Sequence, residues 1–257
     1  MNKKIKKLFL GITSAFIFIS FNVQAQNISV AAASDLKFAL DSVISVYQKQ
    51  HPTEKIQVTY GSSGKFFEQI QYDAPFDIYF SADVNYPKKL KEKGLTISEV
   101  KIYAIGRIVI WSKKIDPNIE KMNSFLDPNL NKIAIANPEH APYGEKAKES
   151  MMYYKIYDKV INKLVFGENI SQTAQFVQLG AADIGIIALS LALSPNMQKD
   201  GGKYYVIPEE SHKPLEQGYV ILKHAKNNKN ALKFYKFLST PKSIAILTHF
   251  GFTQKNN

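Results

Sequence analysis

Residues 59–70 read TYGSSGKFFEQI, and the fold turns on what Gly61-Ser62-Ser63-Gly64 does there. Val58 and Thr59 favour a strand, whereas Phe66, Phe67 and Ile70 recur at helical spacing. The four residues therefore stand where a strand hands over to a helix, the place where unpaired backbone N–H groups point outward and attract anions. The same junction recurs along the chain. Ile28 to Ala31 leads through Ala32-Ala33-Ser34-Asp35 into a helix patterned by Leu36, Leu40, Val43, Ile44 and Tyr47. Asp77 to Phe80 leads through Ser81-Ala82-Asp83 into a lysine-rich helix that Gly94 closes. One buried strand is expected over 105–111 and another at Ile133 to Ala136, the latter followed by a Pro-rich loop, Asn137 to Tyr143, and a helix. Leu164 to Phe166 leads through Gly167-Glu168-Asn169-Ile170 into a helix over 171–179. Asp183 to Ile187, Tyr204 to Ile207 and Tyr219 to Leu222 complete the strands, and a helical region over 231–249 breaks near Pro241.

Strands alternating with helices imply βαβ units and an α/β fold. Asp77-Ile78 and Asp183-Ile184 each open a strand after a helix, once in each half of the chain, which points to two similar lobes. In open sheets of this kind the ligand side lies at the carboxyl ends of the strands. If the lobes face each other, Ser34, Ser62, Ser63, Tyr143 and Ile170 converge on one cleft lined by hydroxyls and helix N-termini, a site for an oxyanion. The plainer alternative is that Ser34, Asp35 and the paired serines only cap helices and that Gly61 and Gly64 only permit a tight turn. Gly64-Lys65 does not complete a phosphate-binding loop, because Thr59 stands where its first Gly belongs and Phe66 where Ser or Thr belongs. The five histidines show no metal-ligand spacing, and no G-x-S-x-G elbow is present. His140 reads as a loop-ordering residue and Asp83 as a cap, so no nucleophile–base set can be named, and neither a catalytic residue nor a protein-bound metal is expected.

The first residues carry an export signal. Lys3, Lys4, Lys6 and Lys7 precede a largely apolar run from Leu8 to Phe21, and Val23-Gln24-Ala25 offers small residues for cleavage near Ala25/Gln26. The run is shorter than the roughly 20 residues a membrane span needs. There is no cysteine, hence no disulfide framework and no lipidated anchor. Localisation in a bacterial periplasm, as a soluble protein, is the expectation. The chain is formally +11; residues 1–25 hold four lysines and no acid, leaving +11 − 4 = +7 for the rest. Arg107 is the sole arginine. Lysines form solvated surface more readily than bidentate phosphate clamps, which argues against nucleic acid as a partner, while the positive field can draw a small anion toward a cleft.

Val30 to Ser34, Gly61-Ser62-Ser63, Phe76 to Asp83, Asn137-Pro138-Glu139-His140 and Phe250-Gly251-Phe252-Thr253 occur in order. Together they resemble the periplasmic molybdate-binding proteins of ABC transporters, the ModA family, over essentially all of the chain after the signal. The resemblance implies a type II periplasmic binding protein fold, two α/β lobes with a ligand cleft between them. Lobe I is expected over 26–105 and 219–257 and lobe II over 106–218, with crossovers near Gly106 and Gly218. It implies a solute-binding protein, not an enzyme, that captures molybdate or tungstate without a cofactor. The partner is an inner-membrane ABC permease complex, and the protein is a monomer.

The implied donors are the hydroxyl and N–H of Ser34 and Ser63 and the backbone N–H groups of Tyr143 and Ile170, with Ser62 secondary. Many relatives place a Tyr where this chain has Ala188. The Tyr143 hydroxyl or a water replaces that donor, or the bond is missing. A donor-only cleft disfavours phosphate, which keeps a proton that needs an acceptor, and favours fully ionised molybdate, tungstate or sulfate. The alternatives are a sulfate- or thiosulfate-binding protein, an exported α/β hydrolase using Asp83 or His140, and an adhesive surface protein.

Overall fold

The computed structural model describes residues 27–254; the export signal expected over 1–25 lies outside them. The chain makes three passes. The first lays down β1 (Ile28–Ala33), α1 (Lys37–Gln50), β2 (Ile56–Gly61), α2 (Ser63–Gln71), β3 (Ile78–Ser81), α3 (Asn85–Glu92) and β4 (Lys101–Gly106). The second holds β5 (Ile108–Ser112), α4 (Pro117–Glu120), β6 (Ile133–Ala136), α5 (Pro142–Tyr153), α6 (Tyr157–Val160) and β7 (Leu164–Gly167). It continues with α7 (Ile170–Gln178), β8 (Ile184–Ala188), α8 (Leu189–Ala192), α9 (Pro195–Lys199) and β9 (Lys203–Val206). The third returns with β10 (Leu215–Ile221), α10 (Lys229–Phe237) and α11 (Pro241–His249).

These elements form two five-stranded sheets, ordered β2-β1-β3-β10-β4 and β7-β6-β8-β5-β9. In the first, β1 pairs parallel with β2 and β3, and β10 runs antiparallel between β3 and β4. In the second, β6 pairs parallel with β7 and β8, and β5 runs antiparallel between β8 and β9. The two orders superimpose position by position, with β5 and β10 as the strands that enter each lobe from the other. Both sheets are thus mixed rather than purely parallel.

The expected single strand over 105–111 is two strands belonging to two sheets, joined through Arg107. Gly106-Arg107 interrupts its apolar run at the break, where the resemblance places a crossover. Gly106 sits at it because a Cβ would lie 2.5 Å from both the Gln217 Nε2 and the Tyr143 hydroxyl. The second transfer falls within 207–214, ahead of Gly218, because Leu215, Glu216 and Gln217 already pair with β4. By strand pairing, residues 215–218 therefore go with the first lobe.

β6 and β8 are buried along their whole length, as expected of strands covered on both faces. The alanines that end β1 leave room at the cleft: Ala33, with Ala82, packs into the apolar cluster that fills the second lobe. The first lobe has its own clusters on either face of its sheet, one under α1, α10 and α11 and one under α2 and α3.

Candidate functional site

Four loops meet between the lobes, those following β1, β2, β6 and β7, all at carboxyl ends of parallel strands. With Ala82 from the loop after β3, they enclose a small cavity lined by Ala33, Ser34, Asp35, Gly61, Ser62, Ser63, Ala82, Ala141, Pro142, Tyr143 and Ile170. The room left inside is about 10 Å³, that of roughly a single water and far below the roughly 300–1,000 Å³ of drug-sized ligand sites. All five residues singled out in the sequence, Ser34, Ser62, Ser63, Tyr143 and Ile170, line it, and the lining includes no Lys, Arg or His.

The local folding places donors there. Ser63 and Ile170 are the first residues of α2 and α7, and Tyr143 follows Pro142 at the start of α5. N–H groups in a first helical turn have no partner within the helix, and Pro142 has none to offer, so Tyr143 supplies the first N–H of α5. Neither serine of the pair caps its own helix. The Ser63 Oγ accepts from the Ala82 N–H at 3.0 Å, and the Tyr79 hydroxyl donates to the Ser63 carbonyl at 2.7 Å. A hydroxyl that accepts one bond keeps its own hydrogen to donate. The Ser62 hydroxyl crosses the cleft and donates to the His140 carbonyl, and His140 Nδ1 lies 3.0 Å from the Ser62 Oγ.

More cross-cleft bonds hold the lobes together. The Gly64 N–H donates to the His140 carbonyl at 3.0 Å. The Ser34 hydroxyl donates to Asn169 Oδ1 at 3.0 Å and accepts from the Ser171 N–H at 3.2 Å, and the Ser171 hydroxyl donates to the Ser34 carbonyl at 2.9 Å. Asn169 also caps α7 through the Gln172 N–H. At the rim, Lys65 pairs with Glu168, and His140 Nε2 lies 3.7 Å from the same carboxylate.

Sequence reasoning missed the group beneath the cavity. Asp35 is 1% exposed. Its Oδ2 accepts from the Tyr143 hydroxyl at 3.0 Å and from Gln217 Nε2 at 2.8 Å, and the Tyr103 hydroxyl donates to Gln217 Oε1. The Ser190 hydroxyl donates to the Asp35 carbonyl at 2.8 Å. Burial pushes the Asp35 carboxyl up to about 6, against the opposing pull of the amide and hydroxyl that donate to it. Burial first, and the Asp35 charge second, push the Tyr143 phenol well above its usual range. The Tyr143 hydroxyl is thus directed at Asp35, and Ala188, fully buried at the end of β8, carries no hydroxyl. Asp35 looked like a possible cap in sequence, Asn169 carried the ordinary signal of a cap residue, and Gln217 carried none.

Asp83 does behave as a cap, its Oδ1 accepting from the Asn85 N–H at 2.9 Å. It lines a separate groove with Lys88, Lys146 and Lys213, whose lining includes no histidine. Among the described residues no cluster of His, Asp and Glu is placed to hold a metal ion.

The sequence model of the family described as bacterial extracellular solute-binding protein matches residues 28–253. The chain belongs to this family. Among its relatives, the molybdate-binding protein ModA of Rhodobacter capsulatus is 35% identical over 77% of each chain. ModA of Azotobacter vinelandii is 32% identical over 89% of this chain and 90% of its own. The solved periplasmic molybdate-binding protein of Azotobacter vinelandii superimposes with a TM-score of 0.82 at 28% identity, covering 89% of this chain and all of that one. The two lobes and the cleft between them are those of a periplasmic binding protein, and the chain is a solute-binding protein of that architecture.

Proposed function

We propose that this family member captures one fully ionised tetrahedral oxyanion, molybdate or tungstate, in the periplasm and delivers it to an ABC permease. The observation that carries the proposal is the makeup of the cavity lining: three serine hydroxyls, of which that of Ser63 keeps its hydrogen, and the first N–H groups of three helices, drawn from both lobes, with no cationic side chain. Such a set stabilises an anion by hydrogen bonds and helix-terminal dipoles rather than by an ion pair. Ser63 serves from the first lobe, joined by Ser34 once its hydroxyl turns from Asn169, the N–H groups of Tyr143 and Ile170 serve from the second, and Ser62 mainly joins the lobes. Since each lobe holds half the donors, binding and closure are one event, with the two crossovers as hinges. Among the described residues no helix is long and apolar enough to cross a membrane, in keeping with delivery to a separate permease. The names of the relatives point to the same ligand.

Calorimetric titration of the purified protein with molybdate, tungstate, sulfate and phosphate in turn tests this. Tight one-to-one binding of molybdate and tungstate is expected, with weak heat or none from phosphate. Heat from sulfate alone would keep the oxyanion site and reassign its ligand. Turnover of an ester would overturn the binding function itself.

A further inference from the structure

A cleft built to take up a dianion contains a carboxyl. Asp35 lines the cavity beside Ser34 and Tyr143 and is 1% exposed. All the donors that reach its carboxyl from other side chains go to Oδ2, namely the Tyr143 hydroxyl and Gln217 Nε2. Oδ1 is buried with no hydrogen-bond partner, while the backbone N–H groups of Asp35 and Leu36 favour the ionised carboxyl without outweighing burial.

No cation compensates a charge there. The turn that carries Asp35 packs against α1, α7 and α8. α7 and α8 have no ionisable side chain. In α1, Lys37 pairs with Asp41 at the surface, and Lys49 lies in the last turn. From β4 and β10 come the Tyr103 hydroxyl, Gln217 and, next to it, Glu216. From α5 come Tyr143 and Lys146, the latter paired with Glu145 and Glu149. Arg107, at the crossover, pairs with Glu209. An ionised Asp35 and a bound dianion would place like charges in one water-poor cavity without a counter-ion, which strongly disfavours ionisation.

We propose, building on the oxyanion function above, that Asp35 enters the closed, oxyanion-bound state as the neutral acid with its proton on Oδ1, so that capture of the dianion takes up one proton. With the lobes apart, water reaches the carboxylate and Tyr143 no longer donates to it, and the group is ionised at neutral pH. On closure it takes a proton from solvent, and the Oδ1–H becomes one more donor in a donor-only site. When the lobes part, the proton returns to solvent. The direction agrees with burial, which outweighs the opposing hydrogen bonds and leaves this carboxyl raised to about 6; a dianion alongside pushes it further the same way. The sign follows by linkage: the bound state holds the extra proton, so affinity is flat below the pKa of the open state and falls by up to about tenfold per pH unit above it.

The test is calorimetric titration with molybdate near neutral pH in buffers of contrasting ionisation enthalpy. The dependence of the observed heat on the buffer counts protons. Uptake of about one proton is expected, together with an affinity that falls by up to about tenfold per unit between roughly pH 6 and pH 8. Asp35→Asn, which keeps a neutral donor, is expected to show near-zero uptake and a flat profile. Molybdate binding without proton uptake in the unaltered protein overturns the coupling and leaves the oxyanion function standing, and this arm needs no variant to fold. An unaltered pH profile in Asp35→Asn overturns the assignment to Asp35. The absence of heat from molybdate, tungstate and sulfate alike overturns the oxyanion function and the coupling with it.

Discussion

Ser62 and Ser63 are neighbours with opposite tasks. The Ser62 hydroxyl is committed to the His140 carbonyl across the cleft, whereas the Ser63 hydroxyl accepts from its own lobe and retains a hydrogen to donate. Ser63→Ala removes a donor to a charged group, a loss of about 1.5–3 kcal/mol or roughly tenfold to a hundredfold in affinity. Ser62→Ala removes a neutral bond that exists only in the closed form, worth about 0.5–1.5 kcal/mol, so its effect is expected to be smaller. Titration of both variants with molybdate checks the order, and a larger loss in Ser62→Ala would reverse the roles. The serines were legible in sequence because they stand at strand-to-helix junctions, where a hydroxyl and a spare N–H coincide. Asp35 was not, because an Asp after a Ser at a helix start looks like a cap. Only the fold reveals that it is buried against Tyr143 and Gln217, residues 108 and 182 positions away.

At the scale of elements, the paired Asp-Ile motif turned out to mark equivalent places. Asp77 precedes β3, and its carboxylate accepts from the Ser29 N–H at the start of β1 at 2.9 Å. Asp183 precedes β8, and its carboxylate accepts from the Asn131 and Lys132 N–H groups ahead of β6 at 2.6 and 3.1 Å. β3 flanks β1 as β8 flanks β6, so each Asp pins the start of the central parallel pair in its lobe. Burial pushes the Asp183 carboxyl up, but the two N–H groups and the Lys114 ammonium outweigh it and hold it below the usual carboxylate range. A depressed carboxyl contributes stability above its unfolded pKa of about 4 and loses it as pH falls through the folded value. Asp183→Asn is therefore expected to lower the melting temperature at neutral pH by about 2–10 °C, from a loss of about 1–3 kcal/mol. Thermal melts across pH should show that gap narrowing in acid; a gap independent of pH would assign the role to shape rather than charge. The alternation of strands and helices was legible because long periodic segments carry it. The short helices α4, α6, α8 and α9, four or five residues each, are too brief for a periodic signal. Apolar periodicity alone ran the two strands over 105–111 together, because apolar residues flank Gly106-Arg107 on both sides, whereas the crossover expected near Gly106 came from the resemblance.

At the scale of the whole molecule, the closed arrangement depends on how near two backbones can come. The Gly64 N–H reaches the His140 carbonyl at 3.0 Å, and a Cβ on Gly64 would lie 2.6 Å from that oxygen and 3.0 Å from the His140 Cα. Gly64 is thus required by the approach of the second lobe and not by a tight turn, a distinction that a single sequence cannot draw, because the partner backbone lies 76 residues on. The Lys65–Glu168 pair beside it is about half exposed on both sides, so it contributes at most about 1 kcal/mol and weakens with salt. The main clash in Gly64→Ala lies between the lobes, since backbone atoms of His140 are the nearest that the new methyl meets; within its own lobe it meets the Tyr86 hydroxyl at 3.0 Å, the far end of a side chain that can shift. The melting temperature of the ligand-free variant should therefore stay close to that of the unaltered protein, while molybdate affinity falls by tenfold or more. Small-angle scattering decides between a hinge and a local effect. The unaltered protein should contract on adding molybdate, and Gly64→Ala should keep the larger radius of gyration at the same ligand concentration. Full contraction with weakened binding would instead place the damage in the donor set around Ser63, and the lobes would have to close by a path that leaves the His140 carbonyl free.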